Sequence, residues 1–269
     1  MVSFTKAFTA GLMASAAMAL PINSPVQKRS TAKRGAAYND ISTVFPLASS
    51  GTVSWAYNWA GSLNGDLPSG VEYVPMLWGA KFFTGWVSAI ETALSSGSSY
   101  IMGFNEPDNT AQANMSPGEA AGYYQQYITQ NKGDAKLISP AVTSSTTPGQ
   151  GLDWFEQFIG QCSSCDITGL AVHWYGPSAD EFKTFIESAI DTATRHGLSE
   201  VWVTEFALDA DINGVTNQAN AINFLNEAIP YLDSQDMVTH YSYFMSAENF
   251  LLSNGALNPV GEAYVSTSD

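Results

Sequence analysis

Positive charge, histidine and cysteine are all scarce in this chain. Ten Lys and Arg stand against 25 Asp and Glu, with three His and two Cys. A formal charge of −15 repels phosphate backbones and anionic bilayers, so neither nucleic acid nor a membrane surface is expected as a partner. His173, His196 and His240 form no HExxH and no paired His/Cys spacing, so no metal and no cofactor is expected. The absence of a G-x-S-x-G elbow removes the usual serine esterase. No Gly-rich phosphate loop follows the first predicted strand, which counts against an open dinucleotide-binding sheet. Cys162 and Cys165 are expected to form a small-loop structural disulfide. A redox CxxC would need a thioredoxin-like context, and zinc would need a second ligand pair.

The basic residues are also unevenly placed. Lys6 precedes an apolar run from Ala7 to Leu20, too short to span a bilayer, that contains the small-x-small signal Ala17-Met18-Ala19. Residues 1–19 are therefore expected to be a signal peptide. Residues 20–34 carry two dibasic pairs, Lys28-Arg29 and Lys33-Arg34, and are expected to be a pro-peptide of a fungal-type secretory pathway, with the mature chain starting near Gly35. A tail that is never trimmed is the alternative. Half of the basic residues and none of the acidic ones lie in this segment, so the remainder is still more anionic. A secreted protein, extracellular or in the cell wall, is the expectation.

Residues 35–269 show no linker or break in composition and are expected to form a single domain. At 45% hydrophobic and 12% aromatic, the chain can fill a large core with aromatic surface left over. Eight short β-rich runs recur, at 35–39, 53–59, 73–79, 100–106, 136–142, 167–175, 201–206 and 239–245. Amphipathic stretches separate them. Ser116-Pro117-Gly118-Glu119 and Ser178-Ala179-Asp180-Glu181 read as helix starts with capping-box glutamates, and Gly197 as a stop. A helix over 219–232 is expected to kink or end at Pro230. Strand and helix alternating in this way predict an α/β fold, a (β/α)8 TIM barrel.

A barrel of this kind places its chemistry at the C-terminal ends of the strands. The fourth run ends in Gly103-Phe104-Asn105-Glu106-Pro107-Asp108, and the seventh in Val203-Thr204-Glu205-Phe206-Ala207. A carboxylate within such an apolar run is costly to bury without a task or a partner, and cationic partners are few. Two facing carboxylates are what glycosidic bond cleavage requires: one protonated to donate to the departing oxygen, the other ionised to attack the anomeric carbon. Glu106 and Glu205 are thus the candidate catalytic pair.

The wider motif set is more specific. Trp55-Ala56-Tyr57-Asn58-Trp59, Tyr73-Val74-Pro75-Met76-Leu77-Trp78-Gly79, Phe104-Asn105-Glu106-Pro107-Asp108, Ala171-Val172-His173-Trp174-Tyr175-Gly176 and Thr204-Glu205-Phe206 together resemble glycoside hydrolase family 128, in order and over most of 35–269. That resemblance implies a retaining β-1,3-glucanase, with Glu106 as acid/base, Glu205 as nucleophile and Asn105 on the sugar 2-hydroxyl. It also implies that His173 and Tyr175 line the site, near acid/base and nucleophile respectively; hydrogen-bonded core residues are the alternative. Trp59, Trp78 and Phe244 are candidate sugar platforms, because aromatic faces pack on the C–H faces of pyranose rings. Trp55 and Trp174 are expected to be internal. Asn58, together with Tyr38 and Asn39 at the close of the first strand, completes the candidate binding set.

The implied partner is β-1,3-glucan or laminari-oligosaccharides, acted on by a monomer. Endo-cleavage is the primary expectation, with exo-action as a variant that depends on loops 60–70 and 209–216. A cell-wall glucan-binding protein with little turnover is the competing class.

Overall fold

The computed structural model describes residues 33–267. The expected signal peptide and all but the last two residues of the expected pro-peptide lie outside the described residues. Eight parallel strands follow one another around a single curled sheet: β1 (Arg34–Ala37), β2 (Val53–Tyr57), β3 (Glu72–Tyr73), β4 (Tyr100–Met102), β5 (Lys136–Val142), β6 (Ile167–Gly176), β7 (Glu200–Leu208) and β8 (Val238–Tyr243). Their order is β3-β2-β1-β8-β7-β6-β5-β4, so β1 pairs with both β2 and β8, and β3 and β4 form the two ends. Those ends meet. Met76 bridges Met102, and the Leu77 N–H donates to the Met102 carbonyl at 3.1 Å. The single-domain (β/α)8 barrel is the observed fold.

Five strands are shorter than the runs expected for them, and β3 and β4 are shortened most, to two and three residues. Pro75 has no N–H to give, so β3 stops at Tyr73 and the chain resumes pairing only as the bridge at Met76. After β4, Gly103 passes so close to β5 that a Cβ there would lie 2.6 Å from the Pro140 nitrogen. Pairing then returns at Asn105, which bridges Ala141.

The helices form the outer ring: α1 (Val44–Ala48), α2 (Trp86–Ser95), α3 (Pro117–Tyr127), α4 (Gly151–Gln161), α5 (Ala179–Arg195), α6 (Gln218–Ser234) and α7 (Pro259–Ser266). Ser116 and Glu119 close the expected reciprocal capping box of α3. Ser178 caps α5 through the Glu181 N–H at 3.3 Å. Pro230 does not end α6, which continues to Ser234 because packing of Phe224, Leu225, Ile229 and Leu232 holds both sides of the proline in one helix. A hairpin of β9 (Leu252–Ser253) and β10 (Ala256–Leu257), together with α1, α4 and α7, adds to the expected elements. Cys162 and Cys165 are joined as a disulfide just after α4.

Inside the barrel, Trp55, Met76, Met102, Ile138 and Trp202 fill the volume below the site. Its floor is polar but satisfied. The buried Glu200 carboxylate accepts from Lys136 Nζ at 2.5 Å, Trp202 Nε1 at 3.0 Å and Thr239 Oγ1 at 3.1 Å. The His240 ring stacks on Trp202 with centroids 3.6 Å apart. No helix among the described residues is long and apolar enough to cross a membrane.

Candidate active site

At the C-terminal ends of the strands lies a cleft of about 590 Å³ whose lining includes Glu106, Glu205, Asn105, His173, Tyr175, Trp59, Trp78 and Phe244. Nine of the eleven residues expected from sequence, Asn39 among them, therefore meet in one place. The other two do not join them. Tyr38 is buried in the core between barrel and helices, while its neighbour Asn39 lines the cleft. The Asn58 amide is used locally, accepting from the Tyr73 hydroxyl at 2.8 Å and donating to the Ser62 carbonyl at 3.2 Å. Alternation along β1 and β2 explains both cases, since a residue next to a cleft residue on a strand faces the other way.

Register sets the heart of the site. His173 on β6 lies opposite Glu205 on β7, so both side chains leave the sheet on the same side. Glu106 follows β4 with φ +42, a left-handed backbone that costs a bulky residue about 1–3 kcal/mol. Its N–H donates to the Ala141 carbonyl at 2.8 Å, and its side chain turns inward to meet His173. His173 Nδ1 is 2.8 Å from Glu106 Oε1 and 3.4 Å from Glu205 Oε2. One donor atom from each of the three residues lies within 4.8 Å of the other two.

Each carboxylate is held at both oxygens. Glu205 Oε1 accepts from Trp59 Nε1 at 2.7 Å, and Oε2 from the Tyr175 hydroxyl at 2.6 Å. Glu106 Oε2 accepts from Asn109 Nδ2 at 2.8 Å. Trp59 is thus more than an aromatic wall: its N–H is committed to the candidate nucleophile, and its own φ of +56 holds it there. Asn105 Nδ2 donates to Gln112 at 3.3 Å, while its side-chain oxygen Oδ1 is buried without a partner and is free for a ligand hydroxyl.

Charge follows the geometry. Burial alone would push the His173 imidazole down, but the charge of Glu205 and the hydrogen bond and charge of Glu106 outweigh it and leave its pKa raised. Burial pushes Glu106 up, yet the hydrogen bond and charge of His173, helped by Asn109, bring its carboxyl below the usual range. Burial and then the Glu205 charge drive the Tyr175 phenol far above its ordinary value, so it remains a donor. Glu106, His173 and Glu205 are also the group among the described residues whose donor atoms could converge on a metal ion. Their oxygens already face protein hydrogen-bonding groups, an arrangement suited to proton traffic.

Behind the site, Asp108 is the residue whose role the sequence did not reveal. Its buried carboxylate accepts from the Thr143 N–H at 3.2 Å, the Thr143 hydroxyl at 2.5 Å and the Gly151 N–H at 2.8 Å. It ties the loop after β4 to the loop after β5 and to the start of α4. Asn109, Gln112, Thr143, Ser144 and Ile212 also line the cleft and were not anticipated. Loop 209–216 reaches the cleft through Ile212, whereas loop 60–70 borders a separate cavity against α2.

A parallel barrel with two carboxylates facing each other at the C-terminal rim defines a glycoside hydrolase. The chain belongs to glycoside hydrolase family 128, as solved relatives of that family at 30% identity or more show, and a family model described as glycosyl hydrolase catalytic core matches residues 35–264. It is similar to a subgroup III curdlan-specific exo-β-1,3-glucanase of that family from Blastomyces gilchristii, solved with glucose. The two are 41% identical, over 87% of this chain and 97% of that one, with a TM-score of 0.80. A subgroup II endo-β-1,3-glucanase from Sorangium cellulosum is 30% identical over 87% of this chain and 98% of that one, with a TM-score of 0.71. Alkali-sensitive linkage protein 1 of Schizosaccharomyces pombe is 32% identical over 229 residues, 80% of this chain. The chain spans 40% of the length of that curated relative.

Proposed function

We propose that this chain hydrolyses β-1,3-glucan with retention at the anomeric carbon, using Glu205 as nucleophile and Glu106 as acid/base. The observation that carries the reading is the approach of the two carboxylates around His173, with donor atoms within 4.8 Å of one another. Retaining enzymes need a separation of about 5–5.5 Å; inverting ones need about 6.5–9.5 Å to admit a water.

In the first step, Glu205 attacks C1 and the bond from C1 to the glycosidic oxygen breaks. Glu106 supplies the proton to that departing oxygen. In the second step, Glu106 takes a proton from water, the water oxygen bonds to C1, and the ester to Glu205 breaks. His173, at hydrogen-bond distance from Glu106, is placed to hold a proton of the pair while the cleft is empty. Trp59 and Tyr175 aim the Glu205 carboxylate, and Asn105 is placed to meet a sugar hydroxyl. Trp78 and Phe244 offer apolar faces for neighbouring glucose units.

Endo-cleavage is the primary reading. Exo-action is the second, favoured by the higher identity to the curdlan-specific exo-acting relative and by the intrusion of Ile212 at the rim. Products released from curdlan separate them, since exo-action yields short sugars from the outset while endo-action first lowers mean chain length. We further infer a secreted monomer, supported by the leader-like residues 1–19 and the single disulfide.

The decisive experiment compares reducing-sugar release from laminarin by the wild type, Glu205→Gln and Glu106→Gln, with NMR of the first-formed anomer. The β-anomer and a loss of about 10²–10⁴-fold in Glu106→Gln are expected, with a still larger loss in Glu205→Gln. Equal activity in Glu205→Gln refutes the nucleophile. Tight oligosaccharide binding without turnover in the wild type identifies a glucan-binding protein instead.

A further inference from the structure

Two cations at the entrance to β1 play no part in the cleft, yet they are among the most heavily bonded side chains in the molecule. The buried Arg34 guanidinium donates from Nε to the Tyr241 hydroxyl at 2.7 Å, from Nη1 to the Tyr264 carbonyl at 2.9 Å and from Nη2 to Asp233 Oδ2 at 3.1 Å. Nη2 also reaches the Thr267 carbonyl. Lys33 Nζ donates to the carbonyls of Leu232, Asp233 and Gln235 at 3.1, 2.8 and 2.9 Å. Those oxygens lie in and just beyond the last turn of α6, where a helix leaves its carbonyls unpaired and carries partial negative charge.

The backbone of the pair is equally engaged. The Lys33 carbonyl accepts from the Tyr241 N–H at 2.9 Å and from Trp55 Nε1 at 3.0 Å. Arg34 is paired in register with Val53 on one side and Tyr241 on the other. The two residues thus close the β1–β8 seam at the barrel floor and fasten it to α6 and α7.

By sequence, Lys33-Arg34 is a recognition site for a dibasic endoprotease. Such an enzyme must take both cationic side chains into acidic pockets and draw the flanking chain out in extended form. In the folded domain neither side chain is available, and the strand would have to leave the sheet. We propose that Lys33-Arg34 is a retained structural clamp, and that proteolytic trimming of the N-terminal segment stops upstream of it. A mature start at Gly35 would strand the Asp233 carboxylate and the α6 carbonyls without their cationic partners. The proposal stands independently of the glycosidase reading.

The test treats the folded full chain and a synthetic peptide of residues 25–40 with the same Lys-Arg-specific endoprotease, and follows new N-termini by mass spectrometry. Cleavage after Arg34 is expected in the peptide and to be slower by on the order of 10³-fold or more in the folded protein, because it must wait for opening. Release of a stable domain starting at Gly35, at a rate close to that of the peptide, overturns the clamp. In parallel, Arg34→Gln should lower Tm by on the order of 10 °C, with a smaller fall for Lys33→Gln. Wild-type melting in both variants also overturns the proposal.

Discussion

Trp59, just past β2, and Tyr175, on β6, reach Glu205 from different sides, and each supplies one strong donor to one carboxylate oxygen. A hydrogen bond to a charged group contributes about 1.5–3 kcal/mol, so replacing Trp59 by Phe, which keeps an aromatic ring and loses the N–H, should cut kcat by about 10–100-fold. A rise in KM at unchanged kcat would instead make Trp59 a sugar platform alone. The phenol of Tyr175 is subject to the same logic, and the double variant Trp59→Phe/Tyr175→Phe should lose less than the product of the single losses, since both act on one carboxylate. Glu106 needs no new partner to be aimed. Its backbone at φ +42 already turns the side chain into the cleft, and the strain is balanced by the surrounding bonds.

Those surrounding bonds belong to the loops between elements. Asp108 holds three backbone and side-chain donors from the β5–α4 connection, and Gly151 comes so near that a Cβ there would stand 2.2 Å from the Ser145 carbonyl. Asp108→Ala should therefore lower Tm by on the order of 10 °C and also reduce kcat, because the loop that carries Glu106 loses its anchor. Gly151→Ala should destabilise through both the clash and the φ of +56. Thermal melts and kinetics on the same samples decide. A Tm loss with full kcat in Asp108→Ala would show that the loop keeps its shape without the anchor. At this scale β5 was legible to the residue, as a buried run that opens on exposed Lys136 and closes at Val142. β3 was not, because Pro75 interrupts a run whose composition still reads as strand. α6 crossed Pro230 because tertiary packing outweighed a local preference.

Two histidines couple the whole molecule to pH in opposite senses. The folded pKa of His173 is raised, so its contribution is full below its unfolded value near 6.5 and fades as pH rises through the folded value. The folded pKa of Glu106 is lowered, so its share is present above about 4.5 and fades as pH falls. The pair therefore stabilises most between roughly pH 4.5 and 6.5. The difference in Tm between wild type and His173→Asn should peak in that window, and a flat difference would deny the pairing. On the barrel floor, burial and then the Lys136 charge push His240 down to about 3. The unfolded state binds that proton first, so stability is lost as pH falls from 6.5 towards about 3. His240→Gln should flatten the acid side of the Tm profile, which a pH series of calorimetric melts measures directly.

The sequence by itself determined the repeating strand–helix order and the two glutamates, because period, capping and an isolated carboxylate in an apolar run are local properties. It also held the pairing of Cys162 with Cys165, three positions apart. Only the tertiary structure decided that the Trp59 N–H serves a carboxylate 146 positions away, that Asp108 braces a neighbouring loop, and that Arg34 closes a seam with residues some 200 positions downstream. Donors, acceptors and charges acquire their roles from what packs beside them. For these residues the neighbours come from the far side of the barrel, and no local pattern in the chain encodes them.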